Sequence, residues 1–232
     1  MTLEPLGIPD AQLRGMHRHP IGPMLLAALG VASAWLWWNG QPIRHQPGVL
    51  TENLPIQSDV PPRALPEQNG FRLTAIAHYS IRARVLDTKQ YFGAPQARLA
   101  PYDVALGWSR MSDQSVLDRM SISMGNRYFF YRWQGRAPIP QSEIIRSAAN
   151  NHLIPANGAV LSAIRGLRVG QIVDLSGWLV DAEGPDNFTW HSSRRRDDTG
   201  NGACELIYVE KLCAWDEPSA VPTTSPVFAV AR

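Results

Sequence analysis

The chain has 232 residues, 44% of them hydrophobic, and a formal net charge of +2. That length is enough for one globular domain with a real core. A balance so near neutrality supplies no field to gather nucleic acid, so no nucleic-acid partner is expected.

Residues 1–20 include Arg14, His17, Arg18 and His19 and read as a short cytoplasmic tail. From Ile21 to Trp38 the run IGPMLLAALGVASAWLWW carries no charge, and its length lies within the ~17–25 residues a helix needs to cross a bilayer core. Pro23 falls in the first turn, where a missing N–H costs nothing. Trp35, Trp37 and Trp38 crowd the far end, as indoles do in the headgroup layer. Residues 21–38 are therefore expected to form one transmembrane helix in contact with the lipid bilayer. Ala32-Ser33-Ala34 has the form of a signal-peptidase site, but cleavage there would leave Trp-Leu-Trp-Trp as an N-terminus, so an uncleaved signal-anchor is the expectation. Arg14 and Arg18 precede the span and only Arg44 closely follows it. By the positive-inside rule the N-terminus is cytoplasmic and the rest of the protein lies in the periplasm, held at a bacterial inner membrane.

Residues 39–70, with six prolines and neither helical nor strand periodicity, read as an extended stalk that can offer Val49, Leu50, Leu54 and Ile56 as apolar contacts. Residues 71–215 must then make the fold. Phe71 to Leu86 alternates like a half-buried strand. Ser112 or Asp113 can cap a short helix carrying Val116, Leu117 and Met120. Gly125-Asn126 between SISM and RYFFYRW marks a hairpin. Pro138 to Gly166 reads as two short helices broken near His152 to Pro155. GQIVDLSGWLVDA, FTWHSS and ACELIYVEKL then read as strands of a meander. The fold class expected is α+β: a small twisted antiparallel sheet, with barrel-like closure as one form it could take, and two or three short helices. Residues 216–232, with three prolines, read as a flexible tail.

The pieces HYSIRARVL, ALGWSRMSD, NNHLIPAN, VGQIVDLSGWLV and RRRDDTGNGACELIYVEKL, spread over His78 to Leu212, resemble a family of uncharacterised bacterial proteins with one N-terminal membrane span. The resemblance implies location and a single extramembrane domain, and it carries over no functional residue.

No complete catalytic set is legible, and no cofactor or metal is expected. Cys204 is the sharpest candidate, because a thiol nucleophile needs a histidine to take its proton, and His152 and His191 are available. The plainer role for Cys204 is a small apolar side chain at the opening of a strand. A strand from Glu205 to Lys211 would hold Cys204 and Cys213 too far apart to pair. Asp198 stands in an Asp-Thr-Gly tripeptide of the aspartic-protease kind, but three arginines and Asp197 precede it where an apolar strand is needed, and no second copy exists. Asp197, Asp198, Asn201 and Glu205 lack the spacing of a calcium loop. Trp108, Trp133, Trp178 and Trp190 suit either the core or a face for sugars or peptides. The expectation is a membrane-anchored protein whose domain binds another component of the cell envelope, an envelope protein or the cell wall. The alternative is a tethered thiol hydrolase or transferase using Cys204 with His152 or His191.

Overall fold

The computed structural model describes residues 21–195 and 203–217, without side chains at 21–23 and 35–39. The chain divides into two compact units, the second beginning at Gln41.

The first unit contributes helix α1, Ile21–Asn39. It is apolar on every side, and the side chains described in it, from Met24 to Ala34, are exposed. Among the described residues no helix is long and apolar enough to cross a membrane.

In the second unit, part of the expected stalk is built into the domain. Ile56–Gln68 is strand β1, paired antiparallel with Phe71–Gln90, strand β2. Its prolines break the ladder between Asp59 and Arg63 and between Leu65 and Gln68, which suits an edge strand. Residues 43–51 lie against the domain as well. Ile43 N–H donates to Val169 O at 2.8 Å, His45 N–H to Gln114 Oε1 at 3.0 Å and Gly48 N–H to Asp113 Oδ1 at 3.0 Å. The buried guanidinium of Arg84 donates to Ser112 O, Ile43 O and Gln114 Oε1. Burial pulls Arg84 down to about 10, so it stays charged at neutral pH.

Strand β2 is long because it serves several neighbours. It pairs with Tyr102–Gly107, strand β3, through its last third, and with a later strand, β7 (Ile172–Glu183), through Arg72 to Arg84. After β3 come a 3-10 turn, Ser109–Ser112, and helix α3, Gln114–Leu117, which follows the five-residue α2, Pro95–Leu99. Asp113 caps α3 by accepting from Ser115 N–H at 2.8 Å, as the sequence led one to expect. The hairpin of β4 (Ser121–Gly125) and β5 (Tyr128–Arg132) follows, then α4, Gln141–Ser147.

At this point the structure departs from the sequence reading. Ala148–Pro155, expected to close one helix and open a break, is strand β6. Asn150 and Asn151 are poor helix formers, and β3 offers an open edge. The Asn151 side-chain amide donates to Val104 O at 3.1 Å. Helix α5, Gly158–Arg165, then starts where Asn157 Oδ1 accepts from Val160 N–H at 3.0 Å, and it stops at Gly166. It buries Val160 and Ile164, one turn apart, each contributing roughly 1.5–3 kcal/mol. Strands β7, β8 (Thr189–His191) and β9 (Glu205–Trp215) complete the domain. The described domain thus holds four short α-helices, α2 to α5, where two or three were expected.

The sheet is mixed rather than antiparallel, because β6 and β9 run parallel, α5 and β7 supplying the crossover that a parallel pair needs. Strand neighbours run β1-β2-β3-β6-β9-β7-β8, and β7 pairs with β2 again. One apolar cluster draws on β2, β3, β6, β7, β9 and α5, including Tyr79, Val104, Leu153, Ile164, Leu175 and Ile207. It therefore lies on the one face these strands share. Two clusters on the other face, one around Phe71, Leu206 and Tyr208 and one around Met111, Val116 and Ile144, are partly roofed by Phe188 and Trp190 and by the β4–β5 hairpin.

Candidate functional site

The hairpin turn brings the first functional side chain into place. Gly125 pairs with Tyr128, so Asn126 and Arg127 are the two turn residues, and both have positive φ, 50° and 67°. Such turns favour Asn-Gly, and an arginine at the second position carries local strain of order 1 kcal/mol. Surrounding bonds hold it there. Arg127 N–H donates to Tyr91 Oη at 3.0 Å, and its carbonyl accepts from Asn150 Nδ2 at 2.8 Å. Its guanidinium lies 4.0 Å over the Tyr91 ring and 5.6 Å from that of Trp190. Nη1 donates to Ala100 O at 2.9 Å and to Asp103 Oδ1 at 2.5 Å. Burial raises the Tyr91 phenol, with the Asp103 carboxylate adding to the rise, so Tyr91 stays neutral.

Asp103 on β3 is fully buried, and its Oδ1 also lies 2.8 Å from His152 Nδ1. A carboxylate only accepts, so Nδ1 carries a proton and Nε2 is left for another partner. Nε2 makes no hydrogen bond among the described residues. His152 is 3% exposed, and its ring rests 4.7 Å from that of Trp190 at 49°. The result is an imidazole of fixed tautomer between a buried acid and an indole, with Arg127 sharing the acid.

These groups border a cavity of about 400 Å³ lined by Gln96, Arg127, Tyr128, His152, Trp190 and Cys204, among others. A second cavity, about 200 Å³, adjoins it through Tyr128 and Cys204 and is walled by Trp108, Phe129, Tyr131, Ile144 and Arg195. The two form one groove over the outer face of β6 and the start of β9, with aromatic walls along its length and Arg127, Arg195 and His191 at its margins.

Cys204 immediately precedes β9, and its sulfur lies 3.6 Å from Asn150 Nδ2 and 3.9 Å from Arg127 O. Asn150 and His152 are two residues apart on one strand, about 6.6 Å. Cys204 and His152 therefore share a cavity while the thiol is seated beside Asn150, a strand step away from the imidazole. His191 lines the same cavity, with 68% of its side chain exposed and Nδ1 3.2 Å from Asp181 Oδ1. Asp198, with residues 196–202, lies outside the described residues. Cys204 and Cys213 are not joined in a disulfide; Cys204 precedes β9 and Cys213 lies near its far end. Of the tryptophans singled out, Trp108 is buried yet borders the groove, and Trp190 walls it; Trp178 packs outside β7, with Arg63 4.5 Å over its ring. Among the described residues no three His, Cys, Asp or Glu gather as a metal site would require.

Asp103 and Arg127 were not singled out from the sequence. The available signal was an acid inside the apolar strand YDVALG, since a buried carboxylate must find a partner, and an arginine where a hairpin turn favours glycine.

No protein-family model matches the chain, no curated protein matches it, and no solved structure matches it.

Proposed function

We propose that this chain is a membrane-anchored binding module whose domain takes another cell-envelope component in the groove and does no chemistry on it. The observation that carries this reading is where the groove lies relative to the strand pairings. From β2 through β3, β6, β9 and β7 the neighbours lead back to β2, with α5 between the third and fourth strands in chain order. A closed ring of that order is the connectivity of the barrel that binds oligonucleotides and oligosaccharides, whose second and third strands and whose 1–2 and 4–5 loops hold the ligand. Here those parts are β3, β6, the segment 91–101 and, of the later loop, residues 184–195 and 203–204. Gln96, His152, Trp190 and Cys204 come from them. The likeness of connectivity suggests where a ligand sits and not which ligand it is.

The anchor is proposed from α1. A helix with apolar side chains on all sides is either buried in protein or in lipid, and Met24, Leu25, Leu26, Leu29 and Val31 are 58–71% exposed. With Arg14 and Arg18 ahead of it, the N-terminus is cytoplasmic and the domain periplasmic, at a bacterial inner membrane.

The test is capture from detergent-solubilised membranes with wild type and with Trp190→Ala. An envelope component retained by the first and lost by the second supports the reading. Identical sets retained by both contradict it. The second reading, a thiol hydrolase or transferase, draws support from Cys204 and His152 lining one cavity. It requires Cys204 to alkylate readily at neutral pH in the folded protein, and a thiol that resists reagent until the protein unfolds removes it.

A further inference from the structure

We propose that the half of the groove around Arg127 and His152 is a carboxylate subsite, and that the ligand carries its carboxylate beside an apolar group. This inference rests on the groove being the binding site. Arg127 spends Nη1 on Asp103 and Ala100, while Nη2 and Nε make no hydrogen bond among the described residues. Its 19% exposed side chain borders the cavity. His152 is buried, held by Asp103 through Nδ1, and lines the same cavity, its Nε2 without a hydrogen bond among the described residues. A planar anion can accept from the free edge of the guanidinium and, once Nε2 has taken a proton from solvent, from the imidazolium.

The charge count chooses among anions. Among the described residues Asp103 offsets Arg127, and the subsite gains one positive charge when His152 is protonated. A single planar carboxylate matches that charge and can lie along the free edge of the guanidinium. Among the described residues the other ionisable groups lining this cavity are Tyr128, Cys204 and His191, whose Nδ1 lies 3.2 Å from Asp181 Oδ1, while Tyr91, stacked on Arg127, stays neutral. The ring faces of Trp190 and Tyr128 wall the cavity and cover the apolar body of the ligand.

The experiment uses the full chain in detergent micelles with ¹⁵N-labelled imidazoles, and three probes: N-acetylphenylalanine, its amide, and inorganic phosphate. The acid should move the His152 signals to their doubly protonated positions and the amide should not. Affinity for the acid should fall about ten-fold or more in Arg127→Met. It should fall as far in Asp103→Asn/Arg127→Met, which removes the cation without stranding a buried acid. Equal response to acid and amide, displacement of the acid by phosphate, a silent His152, or undiminished binding in the double variant would each overturn the carboxylate subsite. The groove reading survives those outcomes if Trp190→Ala still loses a component that wild type captures. If the acid binds at His152 while captured components are the same in both, the groove reading fails and the subsite stands.

Discussion

Arg127 concentrates several costs in one residue: a turn position suited to glycine, a backbone N–H tied to a phenol, and a guanidinium held against a fully buried acid. A pair like Asp103 and Arg127 is stable only while both are present, because removing one partner strands the other charge. Arg127→Met should therefore destabilise the domain by about 3 kcal/mol, read from urea unfolding, and the Asp103→Asn/Arg127→Met double variant should recover most of that loss. Additive losses in the double variant would mean that the pair is not what holds the turn. Side-chain chemistry alone flagged Cys204, His152 and His191, because thiols and imidazoles announce themselves in any sequence. Asp103 and Arg127 did not, since their meaning depends on contacts 24 and 49 residues away along the chain. Pairing of Cys204 with His152 also depended on register: β6 and β9 align so that the thiol meets Asn150 instead.

Among elements, those with a local period were legible and those defined by their neighbours were not. Alternation marked β2, a capping Asp marked α3 and a Gly-Asn pair marked the hairpin. Strand β6 reads as helix because four of its eight residues, Ala148 to Asn151, lack a strand pattern, and two ladders, one on each side, decide its state. Docking of the segment before β1 was legible only as apolar residues it could offer, since the contacts it makes are hydrogen bonds from backbone N–H groups to distant acceptors, which prolines and glycines do not reveal. At Gly170, φ is 95° and a Cβ would collide with the Ile43 carbonyl. Gly170→Ala should cost about 1–3 kcal/mol through that strain and clash and should speed tryptic cleavage at Arg44; an unchanged cleavage rate would show that Ile43 to Thr51 is not held there. Asp113 ties the same segment down. Burial alone would raise its pKa, but the N–H groups of Gly48 and Ser115 and the Ser115 hydroxyl outweigh that and hold it below 3.8. The folded state thus binds this proton more weakly than the unfolded chain. The contribution of Asp113 is complete above pH 3.8 and is lost as pH falls through the lower folded value. Acid titration of Asp113→Asn should lack that part of the loss.

For the molecule as a whole, the proposed barrel and the proposed anchor give one sequence of parts along the chain: an apolar helix before Gly40, a domain to which Ile43 is hydrogen-bonded, and a groove framed by the loops that such barrels use for ligands. Alkaline phosphatase fused after Arg232 should be active, and an inactive fusion with a fluorescent cytoplasmic reporter would reverse the orientation. The central claim is that the groove is where this protein meets its partner. It is tested most directly by a photo-crosslinking side chain placed in living cells at Tyr128, which is 38% exposed and borders both cavities, with Lys211, exposed about 23 Å farther along β9 than Cys204, as the reference position. Crosslinks to a discrete envelope component from position 128 and none from 211 are the expected result; crosslinks from 211 alone, or the same products from both, would contradict it.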